Sequence, residues 1–305
     1  MTEYTIKSEI NTGKSGSVVV RTATIQSVGA ELISLGRAGG QHPTEEFMWE
    51  GNPEIWSGRA PILFPVVGGL KDGRYRVFDQ WFSMPQHGFV RRTEFTAIDH
   101  NEESLHLRCV ADETSLAVFP WRFQFDVEFS WLHDELQVSY CVTNEDEREM
   151  FFNIGSHPAF RLPLGGDTNT QIEDYLIEFS ATETLDTYKI VDGLLARQPE
   201  RFLTADKRFP LSASLFDRDA LVFMNILSRQ VSLTHRLTGA RVIVDTGGAP
   251  HLGIWGKPAA PYVCIEPWWG FADFDNADGY LENKAGIQQL AAGASFSTSI
   301  GIKTA

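Results

Sequence analysis

Three runs in the middle of the chain alternate apolar and polar residues with a period of two. They are residues 104–110 (SLHLRCV), 123–129 (FQFDVEF) and 135–142 (ELQVSYCV). Successive side chains of a strand point to opposite faces, so each run presents one apolar and one polar face. That is the pattern of antiparallel strands packed on one side. No long stretch carries the spacing of an amphipathic helix. Shorter strand-like runs fall at 18–20, 22–25, 29–35, 221–224, 231–234, 242–245 and 294–302, and a strand opens at 150. Residues 39–60, 163–175 and 192–210 read as loops, and residues 144–147 as a turn. The expectation is an all-β protein, a large antiparallel domain of two packed sheets with few short helices. No repeat or linker divides it, so residues 1–305 read as a single domain.

Charge narrows the partners. Lys and Arg number 26 against 40 Asp and Glu, a net charge of -14. Such a surface repels nucleic acid and anionic membranes. Cys109, Cys141 and Cys264 are far apart and form no CxxC pair. They read as buried free thiols, with neither disulfide nor zinc expected. The first residues, MTEYTIKSEI, lack a basic n-region and an apolar h-region, and no apolar run is long enough to span a bilayer. A soluble, cytoplasmic protein is expected.

One segment concentrates chemistry. Residues 261–265 (PYVCI) read as a buried strand, and Glu266 stands at its end. Pro267 cannot donate to a sheet ladder, so the strand is expected to stop or reach an edge there. Trp268, Trp269 and Phe271 follow, and flat aromatic faces suit the C–H face of a sugar. Glu266 there is a general base or a solvated strand terminus, and the segment alone leaves both open. His157 lies between Gly155-Ser156 and Pro158, and His87 lies in Pro85–Phe89, both at junctions of strand and loop. An imidazole in such a place serves as general acid or as a hydroxyl partner, or is simply a hydrogen-bonded structural histidine. His42, His100, His106, His133, His235 and His251 lack such context. No HExxH, GxSxG, phosphate-loop or dinucleotide-binding glycine pattern is present. Asp273, Asp275 and Asp278 lack the EF-hand spacing and read as a solvated loop.

Taken in order, HGF at 87–89, FNIGSHPAF at 152–160 and CIEPW at 264–268 form a recognisable set. With Met48-Trp49-Glu50, residues 61–75 and Leu252-Gly253-Ile254-Trp255, they make the chain resemble the aldose 1-epimerases (galactose mutarotase-like) over nearly its whole length. The likeness is to a bacterial branch with HGF, GxHPAF and CxEPW signatures. It implies a β-supersandwich and interconversion of the α and β anomers of a free aldose, without cofactor or metal. By motif it implies Glu266 as general base, His157 as general acid and His87 as a second histidine holding the sugar. It also implies Asp219 as an aspartate on sugar hydroxyls; Trp268 and Trp269, by their flat rings, are expected to stack on the sugar. The partner implied is a small-molecule sugar; oligomeric state is left open. One position departs from the pattern: Gly69 stands where the family usually has an arginine that contacts the sugar. Arg91 and Lys71 are the candidates to replace that guanidinium. Three other readings stay open. One is a hexose 6-phosphate mutarotase, with Arg59, Lys71, Arg74, Arg91 and Arg92 as phosphate ligands. The second is a sugar-binding module without catalysis. The third, a polysaccharide hydrolase or lyase, lacks a second acid in a comparable motif.

Overall fold

The computed structural model describes residues 1–11, 18–39, 42–164 and 170–305, without the side chains of 11, 42 and 43. Gly40, the His42 side chain and residues 165–169 of the expected loops therefore lie outside the described residues. The alternating runs are strands Ser104–Val110, Phe123–Leu132 and Glu135–Asn144. Phe123 to Leu132 pairs residue for residue with Asn144 to Glu135. Their inward residues, among them Phe125, Val127, Phe129, Leu136 and Val142, are buried. These strands belong to a 15-stranded sheet, and a four-stranded sheet is formed by Glu3–Asn11, Val18–Gln26, Glu31–Gly39 and His42–Glu46. Ile6, Ala23, Ile25, Leu32 and Leu35 of the smaller sheet share one apolar cluster with Phe125, Phe129 and Ile300 of the larger. Among the described residues the α-helix is a single turn, Glu113–Leu116, capped by Asp112, which accepts from the Ser115 N–H. The remaining helical pieces are short 3₁₀ turns.

Several strands escape the hydrophobic pattern. The expected loop at 192–210 contains Glu200–Pro210, an 11-residue strand paired with Tyr175–Thr187. In Glu200–Pro210 only Leu203 and Phe209 are buried. An edge strand facing water needs no alternation, so nothing in its composition announces it. His42–Glu46 interrupts the expected loop at 39–60, and the N-terminal strand is likewise mostly polar.

The strand neither stops nor reaches a sheet edge at Pro267, contrary to expectation. Strand Tyr262–Trp269 runs through it with every residue buried. It lies between His251–Trp255 on one side and two short strands, Ile154–Ser156 and Ala159–Arg161, on the other. Backbone N–H groups alternate in direction along a strand. The Ile265 N–H reaches the Pro158 carbonyl at 3.2 Å, so the Pro267 nitrogen faces the same side two residues on. The neighbouring residues 157 and 158 lie between the two short strands and keep their register, with Gly155 opposite Trp268 and Ala159 opposite Cys264. Lacking an N–H, Pro267 forfeits the ladder bond on that side, opposite Ser156, and leaves a gap in the ladder within the sheet.

Candidate active site

That internal gap brings the motif residues together. Glu266 and Trp268 are two apart on the strand and share a face. His157 lies between the two short strands, opposite Glu266 in their shared register, its backbone N–H donating to the Pro61 carbonyl at 3.1 Å. His157 Nε2 lies 3.3 Å from Glu266 Oε2, with side-chain exposures of 9% and 2%. Trp56 stacks on the His157 ring at 5.0 Å between centroids, and Trp255 meets it edge-on at 5.7 Å.

His87 completes the floor. It has φ 65 and precedes Gly88 at φ 73. A Cβ on Gly88 would lie 2.0 Å from the Phe64 carbonyl oxygen, so only glycine permits this turn. The Gly68 N–H donates to His87 Nδ1 at 3.1 Å. In the neutral ring that bond places the proton on Nε2. The His87 and His157 rings meet at 5.7 Å and 74°.

A cavity of about 310 Å³ opens above this floor, lined by Trp56, His87, Arg91, His157, Asp219, Trp255, Glu266 and Trp268. Its roof includes Ile190, Gly193 and Leu195. These belong to a hairpin of Ile190–Val191 and Leu194–Leu195. Asp192 and Gly193 turn it with φ 52 and 79, the left-handed pair that a two-residue Asp-Gly hairpin loop adopts.

Burial sets the protonation of the pair. It pushes the Glu266 carboxyl well up, and the negative charge of Asp219 adds to the shift. The Trp268 indole N–H opposes it, although it falls short of a hydrogen bond. Burial pushes His157 well down, with His87 and Arg91 acting in the same direction. His87 is brought down to about 3 by burial and then by Arg91. Glu266 and His157 thus share one proton in a water-poor site, with the neutral arrangement favoured over the ion pair. Glu266 Oε2, His157 Nδ1 and Trp268 Nε1 are buried without hydrogen-bond partners. A hydroxylated ligand is the kind of molecule that satisfies such atoms.

The remaining candidates divide. Arg91, in the 3₁₀ turn Val90–Arg92, lines the cavity and keeps a buried Nε without a partner. Lys71 does not reach the cavity; its Nζ donates to the Ala277 carbonyl at 3.0 Å. Trp269 points to the opposite face, into the main core. Arg59 donates to the Glu50 carbonyl and Arg74 lies over Trp81, so of the five basic phosphate candidates only Arg91 lines the cavity. The structure also accounts for Gly69. A Cβ there would stand 2.7 Å from the Gly193 carbonyl oxygen, so the hairpin tip occupies the place where a side chain would begin. Asp273 is not solvated, contrary to expectation, whereas Asp275 and Asp278 are exposed. Asp273 Oδ1 is 2.9 Å from Lys284 Nζ, its Oδ2 accepts from the Lys71 N–H, and its carbonyl accepts from the Leu195 N–H. Its backbone N–H donates to the Gly69 carbonyl, so one buried ion pair ties the roof hairpin to the floor. Cys264 lies two residues before Glu266, and its Sγ, His157 and Glu266 offer donor atoms within 4.8 Å of one another. Sequence reasoning passed over Trp56, an isolated aromatic in a glycine-rich loop, and the roof hairpin, whose Asp192-Gly193 turn was the available signal.

Fold and site together define a galactose mutarotase-like β-supersandwich. The chain belongs to the aldose 1-epimerase family, whose profile matches residues 20–283. It is 33% identical over 279 residues to the chromosomal LacX protein of Lactococcus lactis subsp. lactis, spanning 88% of this chain and 91% of LacX. Its fold superposes with a TM-score of 0.90 on a galactose mutarotase related enzyme from Lactobacillus acidophilus, at 34% identity over 100% of this chain and 97% of that one. A galactose mutarotase-like protein from Lactobacillus casei ATCC 334 gives a TM-score of 0.85 at 26% identity, covering 98% and 100% of the two chains. Among the described residues no helix is long and apolar enough to cross a membrane.

Proposed function

We propose that this protein is an aldose 1-epimerase that interconverts the α and β anomers of a free aldose. The observation that carries the reading is the buried Glu266–His157 contact of 3.3 Å at the base of a tryptophan-walled cavity. Opening a pyranose requires the C1 hydroxyl to lose a proton and the ring oxygen to gain one. Glu266 takes the hydroxyl proton and His157 delivers one to the ring oxygen as the C1–O5 bond breaks. The aldehyde then rotates about C1–C2. The pair, now with reversed roles, closes the ring on either face, and the proton count is restored. The carboxylate–imidazolium state needed for the first step holds the same single proton as the neutral state of the free site. Hydrogen bonds from the C1 hydroxyl and to the ring oxygen favour its redistribution. His87 Nε2–H and Asp219 hold sugar hydroxyls, Arg91 supplies the fixed guanidinium donors, and Trp268, Trp56 and Trp255 cover the C–H face. A hexose 6-phosphate would find one cavity-lining cation, Arg91, which favours a neutral sugar. A pure binding module has no need of a matched acid and base. The reading carries with it a soluble, cytoplasmic enzyme of carbohydrate metabolism, working as one domain over residues 1–305.

Anomer exchange by NMR with glucose, galactose, xylose, arabinose and glucose 6-phosphate tests it. Glu266→Gln should lower the rate by about 10²–10⁴-fold while sugar binding and the fold persist. Near-normal turnover in a folded Glu266→Gln protein would remove Glu266 as the base.

A further inference from the structure

We propose that His157, Cys264 and Glu266 form a three-donor site for a thiophilic divalent cation such as Zn²⁺, and that its occupation shuts off the acid–base pair. The inhibitory consequence rests on the function proposed above; the binding itself does not. Cys264 and Glu266 lie on the same face of Tyr262–Trp269, and His157 stands opposite Glu266 in the register of the neighbouring chain. The separation along the chain is why no cysteine–histidine spacing in the sequence reveals the cluster. One feature points to a ligand: Glu266 Oε2, in a residue 1% exposed, is unpartnered, and it faces His157 Nε2 in a residue 7% exposed.

The geometry suits zinc. Bonds of about 2.1 Å to nitrogen and oxygen place tetrahedral donors about 3.4 Å apart. The His157 Nε2 to Glu266 Oε2 distance is already 3.3 Å. Sγ lies within 4.8 Å of both donors, and a bond of about 2.3 Å requires it to draw in by roughly 1 Å. The fourth position faces the cavity, leaving room for water or a sugar hydroxyl. One imidazole, one thiolate and one carboxylate select a borderline-soft ion over Mg²⁺ or Ca²⁺. Two anionic donors and one dication sum to a neutral buried centre, which offsets the cost of burying each charge alone. On binding, the Cys264 S–H bond and the Glu266 O–H bond break, both protons leave to solvent, and the metal–sulfur, metal–oxygen and metal–nitrogen bonds form, with no change of oxidation state. The metal then occupies the electron pairs with which Glu266 would accept a proton and His157 would hold one.

Cobalt(II) provides the test. Titrated into the chelator-treated protein, Co²⁺ should produce a near-ultraviolet thiolate-to-metal band and visible bands of a four-coordinate ion, and Zn²⁺ should abolish both. Zn²⁺ should also inhibit anomerisation, reversed by chelator. In Cys264→Ala the near-ultraviolet band should vanish. Inhibition, read against the variant's own metal-free rate, should need about 10–100-fold more Zn²⁺ or greater. Cys109→Ala, buried elsewhere, should behave as wild type. If Cys264→Ala does not fold, Cys264→Ser keeps the size and weakens the metal bond. Absence of a thiolate band in the wild-type protein, or its persistence in the folded Cys264 variant, would overturn the proposal. A band without anomerase activity on any sugar would leave the metal site standing and refute the function proposed above.

Discussion

Gly69→Arg introduces the arginine that the sequence resemblance implies for this position, and should damage this protein. Ordinary contact begins at 3.4 Å, whereas a Cβ on residue 69 meets the Gly193 oxygen at 2.7 Å, so the hairpin tip must retreat by roughly 0.7 Å before any guanidinium is accommodated. The hairpin cannot retreat freely, because the Leu195 N–H is held by the Asp273 carbonyl at 2.8 Å. Overpacking of this kind costs about 1–3 kcal/mol. At roughly 2–4 °C for each kcal/mol in a chain somewhat smaller than this one, melting should fall by several degrees. The same hairpin roofs the cavity, so about 1 kcal/mol of lost contact to bound sugar would raise KM about fivefold. Thermal melts and NMR anomer exchange on wild type, Gly69→Ala and Gly69→Arg supply the measurements, with alanine expected between the other two. An arginine variant that melts like wild type and shows a higher kcat/KM would mean that the position is open, and the steric account of Gly69 would fail.

Two further outcomes follow from the same geometry. Because burial raises Glu266 and lowers His157, the basic limb of the rate profile should belong to Glu266 and the acid limb to His157, the reverse of their ordinary order. Residual activity of Glu266→Gln should then lack that basic limb and instead fall with rising pH from lower values as His157 gives up its proton; a basic limb unchanged from wild type would refute the assignment. Lys284→Met strands the buried Asp273 carboxylate and should destabilise the protein by about 3–5 kcal/mol in denaturant titration, with part recovered in Lys284→Met/Asp273→Asn. A loss under about 1 kcal/mol would show the pair to be dispensable.

Strands that bury one face were legible because burial imposes a period of two, as in Phe123–Leu132. Glu200–Pro210 was not, because a mostly solvated edge strand leaves no such trace. Pro267 misled for a related reason. A proline removes a ladder bond on one side only, so a strand paired on its other side and held in register by its neighbours, far away in the chain, runs on through it. The motif residues were legible as chemistry, and the structure brings Glu266, His157, His87, Arg91, Asp219 and Trp268 to one cavity. Lys71 and Trp269 belong to the same stretches but face elsewhere, a difference of direction that residue type does not encode. The roof hairpin and Trp56 enter the site through tertiary contact alone, and so does the reason for Gly69.

The strand that runs through Pro267 divides labour within the molecule. The groups proposed to move protons are held by sheet backbone and its immediate border, where neighbouring strands fix their spacing. The roof and rim come from short connections, the hairpin at 190–195 and the turn bearing Asp219. Reshaping the roof need not disturb the 3.3 Å contact beneath it. Sugar preference on this scaffold is therefore separable from reactivity, and exchanging the hairpin together with residue 69 is a route to new substrates that leaves the reacting pair in place.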